Sequence, residues 1–481
     1  MTTLTTTPPA PAAGPDRGVP AGTTRLVAVL ASAGIVVSLM QSIVIPLVPE
    51  LPTLLHSSTA DTSWAITVTL LAAAVATPTV GRLGDMVGKR RMLVLSLLLL
   101  VAGSVVAALA SSLLPLIVGR ALQGLAAGVV PLGISIMRDV LPEDRLPGAT
   151  AMMSSSLGVG GALGLPLAAL VGQSFSWHVL FWGAGALGVV ALVLVLAFVP
   201  ESDQRSGGRF DVLGAVGISV TLVCLLLAVS KGSTWGWGTA LTLGLLAVAV
   251  LVLAAWVWWE LRCPQPLVDL RVAARRQVLL TNVASAVFGF AMFAQSLVFP
   301  QLLQLPTSTG FGLGQPMLVV GLVMAPSGLV MMAVSPLSAR ITSAAGPKIS
   351  LVVGSLVVAV GYLLGILLMS AAWQLVVVSS VIGAGIGLAY GAMPALVMGA
   401  VPRTETAAAN SLNTLMRSIG TAVSSAVAGV VLAQLTVEVA GTAVPSQDGL
   451  RLVLAVAAGA SLVACAVATC LPRRRASSGD A

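Results

Sequence analysis

The chain has 481 residues, 57% of them apolar and 8% charged. An ordinary soluble domain carries about 25% charged residues, so this chain cannot present a wetted surface, and its solvent is lipid. A net charge of +8 would suggest nucleic acid in a soluble protein, but here the basic residues sit between apolar runs, where they orient a membrane protein.

Residues 1–24, rich in Thr, Pro, Ala and Gly, lack the basic start and apolar run of a signal peptide, and predict a disordered tail. Runs long enough to cross a bilayer, about 20 residues, follow near 26–48, 64–82, 92–111, 114–137, 148–171 and 177–200. Two more lie near 212–230 and 239–259, and six near 279–305, 316–339, 349–370, 373–400, 408–435 and 450–471. The expected architecture is therefore all-α and integral to the membrane, with 14 spans. Cys224, Cys263, Cys465 and Cys470 lie in or beside these runs without metal-ligand spacing and read as small hydrophobes. No metal and no cofactor is expected.

Of the 24 Lys and Arg residues, 20 fall on one set of connections and the tails, and only Lys231 and Arg451 on the other. Arg120 and Arg417 fall inside spans. By the positive-inside rule both termini are expected in the cytoplasm of a bacterial cell, with the chain multi-pass in the inner membrane.

Pro78, Arg82, Gly88 and Arg90 recur as Pro336, Arg340, Gly346 and Lys348, each pair 258 residues apart. Pro142 and Gly160 match Pro402 and Gly420 at an offset of 260. Duplicated halves with a substrate site at the midplane between them are the plan of many secondary transporters. The offset is too long for six helices, so the expected division is a six-helix half over 25–205, two inserted helices over 206–262, a second six-helix half over 263–472 and a basic tail over 473–481.

Residues 81–91, GRLGDMVGKRR, suit a tight turn between two spans: Gly81, Gly84 and Gly88 permit close approach, and Asp85 can cap a helix N-terminus. This stretch resembles the signature loop of the major facilitator superfamily. The resemblance implies a conformational switch formed by Gly81, Gly84, Asp85, Gly88, Lys89 and Arg90, with Asp85 docking near Asn410 in the other half. Arg120-Ala-Leu-Gln123-Gly124 is similar to the family's second motif, and implies a role for Arg120 in proton coupling. An arginine at that depth should turn inward and find an acceptor. In the fifth span Ser156, Gly160, Gly164, Ala168 and Gly172 recur at spacing four around Pro166, one small-residue face that lets another backbone approach. Gly160, Gly164 and Pro166 resemble the helix motif of antiporters in the superfamily. The chain thus looks like a fourteen-helix drug:proton antiporter, of the kind that includes antibiotic-resistance exporters.

The acid that family members often carry near the end of the first span is absent, and Gln41 is the nearest polar group. No Asp or Glu falls in the middle of a span. Glu50, with Arg120, is the first candidate for the proton site, and Asp61 the second. Gln41, Asn282, Phe293, Gln295, Met324, Asn413 and Arg417 are the expected cavity residues, since aromatic and methionine side chains with scattered amides suit amphipathic molecules. The expected function is export of drugs or antibiotics by proton antiport with alternating access. The alternative is export of a native metabolite or lipid precursor with different or no proton coupling. The partners are a small organic substrate, protons and the lipid bilayer, without nucleic acid, and the unit is a monomer. Gly88-Lys89 lacks the rest of a phosphate loop, and no clustered His, Cys or carboxylates make a catalytic set. An ATP-driven pump and an enzyme are therefore not expected.

Overall fold

The structure is a computed structural model that describes residues 21–47, 50–201, 205–439 and 442–472. The expected tails over 1–20 and 473–481 lie outside the described residues, and the first helix begins at Ala21, inside the stretch expected to be disordered.

Among the described residues, 14 helices are long and apolar enough to cross a membrane. The first half contains α1 (Ala21–Ser42), α2 (Trp64–Val87), α3 (Lys89–Ala108), α4 (Leu113–Val140), α5 (Leu146–Ser174) and α6 (His178–Phe198). The inserted pair is α7 (Val212–Trp235) and α8 (Ala240–Glu260). The second half contains α9 (Arg276–Gln304), α10 (Met317–Ala345), α11 (Pro347–Leu367), α12 (Ala372–Met398), α13 (Thr406–Gln434) and α14 (Gln447–Thr469). A short hairpin of β1 (Thr436–Val439) and β2 (Thr442–Pro445) links α13 to α14, with Val437 opposite Val444.

The apolar runs become helices because no water is available to hydrogen-bond exposed backbone in hydrocarbon. The same constraint tolerates Pro78, Pro166, Pro300 and Pro394 inside helices. In α4 the ladder tightens into a 3-10 stretch over Leu125–Gly128. Pro131 explains it, lacking an N–H and crowding the carbonyl four residues earlier. The first span ends at Ser42 rather than near 48; a 3-10 turn over Ile45–Leu47 follows, because the residue before Pro46 is steered away from helix.

The sequence repeat has a structural counterpart. Gly88 (φ 132°) closes α2 and opens α3, and Gly346 (φ 88°) occupies the same place between α10 and α11. A positive φ suits only glycine there. Each half has its own apolar core, one built from α1 to α6 and one from α9 to α14. The inserted pair lies over a seam between them: Ile218, Leu222 and Trp256 pack with Ala74 of α2 and Leu415 of α13. At the end away from the basic loops, Lys231 of α7 donates to Ser63 Oγ and lies 4.9 Å from the Trp64 ring, so the pair is tied to the start of α2.

Candidate functional site

The residues expected to form a conformational switch lie together at the basic end. Asp85 accepts hydrogen bonds from the backbone N–H groups of Ala407 (3.2 Å) and Ala408 (2.8 Å) in the first turn of α13. These donors have no partner within their own helix, and the helix dipole adds a positive field there. Gly81 makes this approach possible, since a methyl there would lie 2.2 Å from Ser411 Oγ, whereas one on Gly84 would lie 2.5 Å from Leu132 of α4 in its own half. Lys89 is fully buried and donates to Asp139 (2.7 Å), with Asp85 at 3.7 Å. Arg90 instead donates to the Leu196 carbonyl at the end of α6 (2.7 Å). The expected docking of Asp85 on the start of α13 is seen, but on backbone at Ala407 and Ala408; Asn410 donates to Thr406 O within its own helix.

Two members of this cluster escaped the sequence reading. Arg138 donates to Thr406 Oγ1 (2.6 Å) and to the Val401 carbonyl (2.9 Å), a second link between the halves. Asp139 completes the ion pair of Lys89. The only signal was an Arg-Asp pair at a helix end, which most surface helices also show.

Arg120 is buried to 1% exposure. It donates to the carbonyls of Met40 (2.8 Å) and Ala65 (3.2 Å) and to Gln123 Oε1 (2.8 Å), while Gln123 donates to Ser104 (2.9 Å). The expected inward turn is present, but the partners are not carboxylates. Glu50 is exposed and makes no pair with Arg120, because the turns after α1 carry it away to the surface. Asp61 is also exposed and accepts from Ser58 Oγ (2.7 Å). Neither is a buried proton site.

The small-residue face of α5 packs on α1, within its own half. A methyl on Gly160 would lie 2.5 Å from the Ile35 carbonyl, and one on Gly164 2.6 Å from Ser42. A second small face, unremarked in the sequence, meets the other half. There a methyl on Gly328 of α10 would fall 2.1 Å from the Gly158 carbonyl, and one on Gly321 2.8 Å from the nitrogen of Pro166. Overpacking costs about 1–3 kcal/mol, so Gly328→Ala is expected to depopulate this seam by roughly tenfold or more. Spin labels at positions 144 and 343, in a cysteine-free background, will report it as a longer distance.

Between the halves lies a small cavity of ≈ 10 Å³, room for on the order of one water. Its polar lining includes Ser154, Tyr390, Asn410, Asn413, Thr414 and Arg417. Of the expected cavity residues, Asn413 and Arg417 reach it. Asn282 sits behind, accepting from Asn413 Nδ2 (3.0 Å), which also donates to Ser285 (2.7 Å). Gln295 is buried between α9 and α10, donating to Ser327 (3.1 Å). Met324 belongs to the second-half core, Gln41 is exposed, and Phe293 does not line the cavity. The residues that miss it share the helices of those that reach it. Helix rotation, invisible in composition, separates them.

A membrane bundle of two repeated halves with a cavity on their interface is the plan of many secondary transporters. The chain belongs to the Major Facilitator Superfamily, whose sequence pattern matches residues 30–425 and 286–480. It is 26% identical over 373 residues to the multidrug resistance protein Stp of Mycobacterium tuberculosis, covering 77% of this chain and 68% of that one. To the tetracenomycin C resistance and export protein of Streptomyces glaucescens it is 28% identical over 350 residues, covering 71% and 62%. In fold it is similar to the human organic anion transporter MFSD10 (TM-score 0.65, 16% identity, 93% of this chain and 99% of that one). The proton:xylose symporter XylE matches at TM-score 0.65 and 12% identity, over 94% and 96% of the two chains.

Proposed function

We propose that this transporter exports amphipathic small molecules, drugs and antibiotics among them, from a bacterial cell by proton antiport with alternating access. The basic end and both termini face the cytoplasm, and a single chain is the working unit. The observation that carries the reading is the docking of Asp85 on α13, with Arg138 beside it, at one end of a cavity on the repeat interface. Hydrogen bonds that join the two halves at one end must break for that end to open, which is the element that alternating access requires. The 20-to-2 distribution of basic residues supports the orientation. The relatives named for multidrug resistance and antibiotic export support the direction and substrate class. In this reading Arg120 tunes the proton step, since a cation held by carbonyls alone would weaken a proton's binding nearby.

The test is efflux from loaded cells of a susceptible host expressing the chain. Expected is energy-dependent efflux that stops when a protonophore collapses the gradient. Efflux that survives collapse but fails on ATP depletion overturns proton antiport, and accumulation equal to the empty host for every compound in a broad panel overturns export.

A further inference from the structure

The cavity between the halves has two chemically unlike walls. Three pairs that face it, Val130 with Tyr390, Ile134 with Pro394 and Leu157 with Arg417, are each separated by 260 residues. That is the repeat offset, so the cavity sits on the axis relating the halves. Repeat-related positions would be chemically alike in a symmetric site. Here the first half contributes Val130, Ile134 and Leu157, whereas the second contributes a phenol and a guanidinium. Ser154 and Thr414, also 260 apart, stayed alike, as did the apolar Ile134 and Pro394.

Among the described residues, Arg417 is the only charged one lining the cavity. Its guanidinium lies 4.4 Å from the Tyr390 ring centre, and its one hydrogen bond among the described residues is a long one to Thr414 Oγ1 (3.5 Å). A guanidinium has five N–H donors, so most of its capacity is unspent. No described carboxylate forms an ion pair with it. Asn410 Oδ1 is buried in the same lining without a partner, an acceptor for a hydroxyl or amide hydrogen. A cation held inside a bilayer attracts an anion strongly and repels a second cation.

Resting on the reading of this cavity as the transport site, we propose that the substrate is an amphipathic organic anion. The cavity as it stands has room for on the order of one water, so the substrate enters when the halves part: its carboxylate or similar oxyanion head binds Arg417 in a forked pair, and its apolar body lies on Val130, Ile134 and Leu157.

A matched pair of probes tests this: 1-pyrenebutyrate, an anion, and 1-pyrenebutylammonium, a cation with the same apolar body. Binding of each to the purified full chain in lipid nanodiscs is followed by pyrene fluorescence. The anion is expected to bind tighter by on the order of tenfold or more. Arg417→Gln should abolish that preference, while Arg417→Lys, which keeps the charge, should retain most of it. Equal binding of the two probes, tighter binding of the cation, binding of neither, or an unchanged preference in Arg417→Gln each overturns the proposal. Should Arg417→Gln not fold, the wild-type preference and the Arg417→Lys result decide alone. Binding does not depend on direction or proton coupling. Anion binding without gradient-driven efflux would therefore fail the exporter reading and leave this inference standing.

Discussion

Asp85→Asn is expected to abolish transport while folded protein still reaches the membrane. The carboxylate accepts two backbone N–H groups at the start of α13 and lies 3.7 Å from the Lys89 ammonium. Asparagine has the same size, but it turns an N–H₂ donor toward donors. Charge-assisted hydrogen bonds contribute roughly 1.5–3 kcal/mol each, so losing both moves the open–closed equilibrium by about two to four orders of magnitude. Because the bonds join the halves rather than build either core, the change should alter populations and leave the fold intact. Two measurements check this: the transport rate, and maleimide labelling of a cysteine placed at Ser154 in the cavity, which should become reactive from the basic side. Normal transport with unchanged labelling would show that the Asp85 docking is dispensable.

The second large effect is expected at Arg120. Three acceptors from α1, α2 and α4 converge on one buried guanidinium. Arg120→Leu takes the donor from the Met40 carbonyl and Gln123 Oε1 in a region no water satisfies, while the Ala65 carbonyl keeps Thr69 Oγ1. At about 1–3 kcal/mol per orphaned group, the first half should lose roughly 3 kcal/mol or more, read as a lower midpoint of thermal aggregation in detergent. Arg120→Lys keeps the charge but not the planar fork, and cannot span all three acceptors. It is expected to restore part of the stability and little of the transport. Full transport in the lysine variant would mean that charge alone matters there, and would remove the geometric account.

Three different signals in the chain had different reach. The spans were legible because lipid imposes a length and a polarity on every crossing, and each expected span from 64–82 onward overlaps an observed helix. The repeat was legible because Gly88 and Gly346 answer the same backbone demand, a positive φ between two helices. The docking of Asp85 was legible because a glycine-flanked acid is suited to a helix start.

What the sequence could not determine depends on rotation and depth. Asn413 and Met324 both looked like cavity residues, yet only Asn413 reaches the cavity, since the face of a helix that meets the axis is set by packing against neighbours. Glu50, an acid expected at the outer end of the first span, suggested a partner for Arg120, but it lies exposed beyond the turn that follows Ser42. Even the small-residue face of α5 reads correctly as a close-packing surface while its partner does not: α1 takes that face, and the neighbouring face of Gly158 and Pro166 takes α10. Local sequence pattern was enough to show that this chain lives in lipid, has 14 segments long and apolar enough to cross it among the described residues, and is built twice over, because hydrocarbon and the helical ladder constrain each segment locally. Which residues meet across the halves was decided only by the tertiary structure. Contacts between residues some 260 or more positions apart depend on how whole helices turn against one another, and no local pattern encodes that.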